Sequence, residues 1–184
     1  MRLFIAVPLP PQAEMEAGRL LRDLRSRDWP VRWVKDDGLH VTLKFFGEVT
    51  SERVDPIEEM LQFATAGMRP ITLTTLGGGA FPTRARPRVL RLEVEAGPEL
   101  ELLQDRLERA GEGIGFPPEG RPFRPHVTLG RVREGDRLPA GAMDYLEGLP
   151  HGAPSLADRV VLFESRLSRN GPSYTARLEL PLAG

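Results

Sequence analysis

His40-Val41-Thr42-Leu43 and His126-Val127-Thr128-Leu129 are the same four residues, and they hold two of the chain's three histidines. At average residue usage, such a match after any pair of three histidines arises by chance roughly once in a thousand chains. Successive side chains on a strand point to opposite faces, and residues two apart share one. If both copies are strands, each presents an imidazole and a hydroxyl side by side.

The segments around the two copies follow a similar order. Arg2–Leu9 is a short apolar run closed by prolines, which predicts a buried strand. Pro10 and Pro11 open a helix with Glu14 and Glu16 early and Arg19, Arg22 and Arg25 late, as the helix dipole favours. The first motif strand is expected over Leu39–Phe46. A second helix follows, with Ile57, Met60, Leu61 and Ala64 on one face, and then a strand over Ile71–Leu76. Gly77-Gly78-Gly79 is not followed by Gly-Lys-Ser/Thr, so it reads as a turn or bulge after that strand and not as a phosphate cradle.

In the second half, Arg88–Glu95 predicts a strand without a clean polar face, and Pro98–Ala110 a helix with Leu100, Leu103 and Leu107 inward. A loop rich in glycine and proline leads to the second motif strand, Pro125–Val132. A weak helix is expected at Met143–Leu149, and strands at Val160–Leu167 and Tyr174–Leu180. The order strand, helix, motif strand, helix, strand thus occurs twice with no flexible linker between. One domain over 1–184 is expected, with approximate lobes 1–85 and 86–184 sharing a central site.

Composition narrows the chemistry. The chain has 184 residues, 40% of them apolar, enough for an adequate core, and no cysteine, which excludes disulfides, thiol nucleophiles and cysteine-bound metals. A net charge of −1 argues against indiscriminate binding of polyanions, so any nucleic-acid surface must be local. Arg121, Arg124, Arg131 and Arg133, with Arg84, Arg86 and Arg88 on another loop, are the candidates for such a rim. No stretch approaches the roughly 20 apolar residues of a spanning helix. A soluble cytoplasmic protein, with no membrane partner, is the expectation.

Two imidazoles facing one cleft suit a reaction in which one proton is removed and another delivered. With an ordinary pKa of about 6.5, one ring can be base while its partner is acid. In-line displacement at phosphorus needs such groups on opposite sides of the phosphate, and neighbouring threonine hydroxyls can hold its oxygens. A lone histidine in a strand reads as structural, and the duplication is what favours the catalytic reading. His151, between Pro150 and Gly152, reads as a loop residue with no part in chemistry.

The paired His-x-Thr-x motifs occur with Arg2-Leu3-Phe4-Ile5-Ala6, Arg32-Trp33-Val34, Phe123-Arg124-Pro125-His126, Leu162-Phe163-Glu164-Ser165 and Gly171-Pro172-Ser173-Tyr174. Together they resemble the 2H phosphoesterase superfamily and, within it, the RNA 2′,3′-cyclic phosphodiesterase family, also called 2′-5′ RNA ligase. The resemblance implies an α+β fold of two pseudo-symmetric lobes, each with an antiparallel sheet and flanking helices, around a central cleft. It implies that His40 is the proton donor to the leaving 3′ oxygen and His126 the proton acceptor that activates water. Thr42, Thr128 and Arg131 would bind phosphate. The substrate would be an RNA with a 2′,3′-cyclic phosphate end, tRNA-derived ends included, and the product a 2′-phosphate. No metal or cofactor is implied, and a monomer is expected. Ligation to a 2′-5′ bond is the secondary activity of the same resemblance.

Phe4, Trp33, Phe46 and Phe81 are all candidates for stacking on a base. Two other readings remain open at this level: a 2H enzyme of a small cyclic nucleotide or cyclic phosphate, and a non-catalytic protein that grips RNA ends.

Overall fold

The computed structural model describes residues 1–168 and 171–184. The first half of the chain forms β1 (Arg2–Pro8), α1 (Pro11–Arg25), β2 (Val31–Trp33), β3 (His40–Glu48), α2 (Val54–Thr65) and β4 (Ile71–Pro82). The second half forms β5 (Pro87–Ala96), α3 (Pro98–Gly113), β6 (His126–Val132), α4 (Ala142–Glu147), β7 (Ser155–Ala157), β8 (Arg159–Ser168) and β9 (Gly171–Pro181). Among the described residues the nine strands make one sheet in the order β7-β4-β5-β6-β3-β1-β8-β9, with β2 beside β6. Every pairing is antiparallel.

The local causes are those of the sequence pattern. Leu3 to Val7 are all buried because β1 lies between β3 and β8, with packed side chains on both faces. The helix α1 takes Pro11 in its first turn, where a missing N–H costs nothing, and buries Ala13, Ala17, Leu21 and Leu24 at helical spacing. Pro98 starts α3 in the same way, and Leu100, Leu103 and Leu107 form its inner stripe. Each fully buried leucine contributes about 1.5–3 kcal/mol over an exposed one. Truncating Leu103 or Leu107 to alanine would therefore cost about 2–5 kcal/mol.

The expected lobes 1–85 and 86–184 divide the chain in the short connection between β4 and β5, but the lobes in space are not these two halves. From each half, strands at the end of the segment join the other half's sheet: β4 from the first, and β8 with β9 beside it from the second. β4 pairs with β5, and β8 pairs with β1. The helices follow: α2 and α3 pack together against β3, β8 and β9, while α1 and α4 lie on β4. A helix and strands from both halves thus bury each lobe's core, which locks the two lobes to each other. No described helix is long and apolar enough to cross a membrane.

Three features depart from the sequence expectation. The strand expected at Ile71–Leu76 continues to Pro82, and Gly77-Gly78-Gly79 lies inside it, with the register shift of a bulge between Thr75 and Gly78. The glycines are needed because α4 ends against them: a Cβ on Gly77 would sit 2.6 Å from the Glu147 carbonyl oxygen, and one on Gly78 2.6 Å from that of Leu146. Strands β2 and β7, three residues each, carry too little periodicity to be seen in sequence. Arg88–Glu95 is a strand with a clean core face after all. Leu90, Leu92 and Val94 turn inward, while Val89, Arg91 and Glu93 line the opposite side.

Candidate active site

The motif strands β3 and β6 are neighbours at the middle of the sheet, and they pair through Val41 and Val127. Both valines are fully buried on the helix side. Alternation then sends His40, Thr42, His126 and Thr128 to the open face. One step from the valine pair, in opposite directions along antiparallel strands, His40 comes level with Thr128 and Thr42 with His126. Level partners in a sheet have Cβ atoms about 4.5–5.5 Å apart and diagonal ones about 7–8 Å. The two imidazoles therefore stand on one diagonal and the two hydroxyls on the other, about a pseudo-twofold axis through the valines.

Each ring is held alike. His40 Nδ1 lies 2.6 Å from the Gly38 carbonyl oxygen and His126 Nδ1 2.8 Å from that of Arg124, two residues back in both cases. A carbonyl can only accept, so Nδ1 carries the hydrogen and donates. Nε2 is the nitrogen that this bond leaves over in both rings. Gly38 reaches the required turn with φ of 92°, a conformation suited to glycine.

Both imidazoles hold their protons less tightly than usual. Burial is the main cause for His40, opposed by the Gly38 carbonyl, and a charge on His126 lowers it further. Burial also leads for His126, opposed by the Arg124 carbonyl, after which the Arg91 guanidinium lowers it more than Glu93 raises it. The mutual repulsion means that the pair resists carrying two protons at once.

The surroundings of the two rings differ. Around His40 stand Phe4, its ring centroid 5.0 Å away, Tyr174 at 5.3 Å edge-on, and Phe163 at 5.9 Å. Phe4 and Phe163 stack at 5.3 Å on paired positions of β1 and β8. Beside His126 the aromatic is Phe81, edge-on at 5.3 Å, with the Arg91 guanidinium 3.4 Å from the centre of its ring. Of the stacking candidates, Phe4 and Phe81 thus face the motif histidines. Phe46 packs against Phe116 at 4.9 Å, and Trp33 against Trp29 and the backbone of Gly130.

Arg131 reaches the open face through a bulge. Leu90 pairs with Gly130 and Arg91 with Thr128, so Leu129 is an extra residue on β6 and the alternation slips by one. Arg131 is exposed, lies opposite Arg32 of β2, and its charge, with that of Arg2, counters the upward push that burial gives the Tyr174 hydroxyl. The first copy has the same slip at Leu43, because Ile5 pairs with Lys44 and Ala6 with Thr42.

The structure brings four of the five expected site residues into one array and puts Arg131 at its edge. Of the arginines expected as a rim, Arg121, Arg124 and Arg133 are exposed without a salt bridge among the described residues. Arg84 is tied to Glu147, at 2.9 Å, and to Asp144 of α4, and Arg88 contacts the Asp136 carbonyl. His151 lies in an exposed loop after α4. Arg91, beside His126, is marked by no motif in the sequence. The alternation of Val89, Arg91 and Glu93 against Leu90, Leu92 and Val94 was the available signal.

Two half-sheets meeting at a pseudo-twofold axis, with a His-x-Thr-x strand from each, define a phosphoesterase of the two-histidine class. The chain belongs to the LigT-like phosphoesterase family, whose model matches it twice, over residues 7–91 and 92–174. It is 34% identical over 178 residues to a Methanothermobacter thermautotrophicus protein named RNA 2′,3′-cyclic phosphodiesterase, covering 95% of each chain. A Thermotoga maritima protein of the same name is 30% identical over 185 residues, covering 100% of this chain and 97% of that one. Among solved structures, a Thermus thermophilus protein designated TT0787 superposes with a TM-score of 0.83 at 27% identity over 100% of this chain and 99% of its own. The complex of Escherichia coli LigT with 3′-AMP gives 0.71 at 27% identity, over 100% and 98%.

Proposed function

We propose that this chain hydrolyses RNA 2′,3′-cyclic phosphate ends to 2′-phosphates, with His126 as base and His40 as acid. The observation that carries the reading is the diagonal pair of imidazoles, each with Nδ1 bound to a carbonyl and Nε2 left to act. Water attacks phosphorus as His126 Nε2 takes its proton. The bond from phosphorus to the 3′ oxygen breaks on the opposite side, and His40 Nε2–H protonates that oxygen. The products are a 2′-phosphate and a free 3′-hydroxyl. Thr42 and Thr128 donate to the non-bridging oxygens, and Arg131 adds charge from the edge.

The division of labour is the one the family resemblance implies, and Arg91 agrees with it: its cation adds to burial in lowering the proton affinity of His126, the ring assigned as base. The relatives' names and the E. coli LigT complex with 3′-AMP support a nucleotide end as substrate. The facing Arg32 and Arg131 support a strand running beyond it. With an RNA 5′-hydroxyl in place of water, His126 takes that hydroxyl's proton and His40 protonates the leaving 3′ oxygen, which makes a 2′-5′ bond; cleavage of that bond back to the cyclic phosphate exchanges the acid and base. One chain supplies both histidines, so a monomer in the cytoplasm, acting on ends such as those from cleaved tRNA, is a complete catalyst.

The test is hydrolysis of an oligonucleotide ending in a 2′,3′-cyclic phosphate, with the product isomer read by phosphorus NMR. A 2′-phosphate, and its loss in His40→Ala and His126→Ala, is expected. A 3′-phosphate product would reverse the assignment of the bond, and full activity in either variant would end the two-histidine mechanism. Equal or better turnover of a cyclic mononucleotide would replace RNA ends with a small cyclic nucleotide as the substrate.

A further inference from the structure

Arg91 is buried, only 6% exposed, on the open face of β5. Its neighbours hold the guanidinium in one orientation. Phe81 lies against its flat side, and Nε donates to Glu93 Oε1 at 2.7 Å. Opposite Arg91 on β4 is Gly79, where a Cβ would stand 2.6 Å from that same Glu93 oxygen, so a glycine is needed to make room for the pair. With Nε occupied and one face covered, Nη1 is buried and has no hydrogen-bond partner among the described residues. A buried guanidinium N–H left unmatched is unfavourable, and folds keep few of them.

Its place in the sheet says what would match it. Arg91 pairs with Thr128, while Glu93 pairs with His126, so the guanidinium stands beside the second motif. The equivalent place beside Thr42 is held by Ala6. The arginine therefore belongs to one side of the site and is not a requirement of the repeated backbone. We propose that Arg91 is a phosphate-binding residue of this site, donating Nη1–H to a non-bridging oxygen also within reach of Thr128. The fork is suited to oxyanions, and its rigid seat specifies where the anion lies. Beyond binding, the same cation adds to burial in holding His126 toward its basic form.

The proposal deepens the phosphodiesterase reading and rests on it, and inorganic phosphate separates the two. Binding of phosphate to the full chain is measured by calorimetry for the wild type, Arg91→Lys and Arg91→Met, with hydrolysis followed over pH. Arg91→Met is expected to weaken phosphate binding tenfold or more and to move the acidic limb of kcat/KM to higher pH. Arg91→Lys keeps the charge without the fork, so it should hold the limb in place yet bind phosphate at least threefold more weakly. Phosphate affinity unchanged in Arg91→Lys overturns the role of the fork even if Arg91→Met does not fold. Wild-type hydrolysis with phosphate binding indifferent to both substitutions overturns the proposal and leaves the proposed reaction standing. Phosphate binding that depends on Arg91 in a chain without hydrolysis upholds it while the reaction falls.

Discussion

The two sides of the Val41–Val127 axis share a backbone and differ in chemistry. Each has a motif strand with a bulge after its threonine and a neighbouring strand in matching register. At matching positions, however, Ala6 stands against Arg91, Phe4 against Val89, Phe45 against Arg131, and Lys44 against Gly130. The His40 side is aromatic, with Phe4, Phe163 and Tyr174. The His126 side is cationic. In the proposed reaction the repeat supplies an imidazole for each side of the phosphate, as in-line chemistry requires, and the divergence is where a difference between the proton donor and the proton acceptor would arise.

Removing either imidazole has the largest expected effect. His40→Ala and His126→Ala should each lower kcat about 10²–10⁴-fold with little change in Tm, since neither ring is in the main core. The two losses should differ in pH dependence: His126→Ala removes the acidic limb of the rate profile, and His40→Ala the basic limb. Identical profiles for the two variants would mean that the two sides are chemically equivalent.

Next is a difference in the supporting layer. Lys44 is buried with Nζ 2.6 Å from Glu108 of α3, whereas Gly130 at the matching place lets the β2 backbone and Trp33 approach. Glu108 also accepts from the backbone of Glu119, so the pair fastens the loop that leads toward His126. Lys44→Met should cost about 3–5 kcal/mol of stability, because it leaves a mostly buried carboxylate unpaired. Lys44→Met with Glu108→Leu should recover most of that loss in a denaturant melt. A double variant no better than the single one would show that packing against Gly111, not charge, fixes Lys44 in place.

The threonines should matter less. In the proposed complex each hydroxyl donates one bond to a charged oxygen, worth about 1.5–3 kcal/mol. Thr42→Val and Thr128→Val are therefore expected to lose about 10–100-fold in kcat/KM. With Arg91 sharing the anion on its side, Thr128→Val should lose the less of the two. A greater loss for Thr128→Val would reverse that ordering.

A smaller effect follows from linkage. Burial lowers the proton affinity of both histidines, so the unfolded chain takes up protons first as pH falls. The contribution is intact above about pH 6.5, the ordinary imidazole value, and is lost as pH drops toward the folded values. Tm should decline between pH 7 and pH 5 more steeply in the wild type than in a His40→Gln, His126→Gln double variant. Parallel curves would place the acid sensitivity elsewhere.

Much of this arrangement is legible in the sequence where period and chemistry coincide. His40, Thr42, His126 and Thr128 declare a shared face through strict alternation, and Leu100, Leu103 and Leu107 declare a helix stripe. What stays hidden depends on contacts distant in sequence. Gly77 and Gly78 read as a turn or bulge that follows the strand, and not as part of it, because the reason for them, the end of α4, lies far along the chain. Arg91 and Glu93 blur an otherwise clean strand, since a polar face turned to a site looks like one turned to water. The exchange of β4 and β8 leaves no trace, because the order of segments is the same whichever lobe a strand joins.

The smallest expected effect tests the edge of the comparison, where Arg131 and Phe45 occupy equivalent places. Arg131 faces Arg32 across the strand pair, an arrangement of like charges that disfavours the free sheet and is relieved by an anion between them. Phe45, 51% exposed, instead carries Arg2 5.0 Å from its ring centre. If the RNA strand leaves the site past β6, Arg131→Ala should weaken binding of a cyclic-ended oligonucleotide a few-fold and reduce the magnitude of its salt slope by about 0.7, one phosphate contact on a single strand. Phe45→Leu should leave that slope unchanged, because no charge is removed. Equal slopes for the wild type and Arg131→Ala would move the RNA path away from β6, and a slope altered by Phe45→Leu would route it past β3, with Arg2 as the cation that meets it.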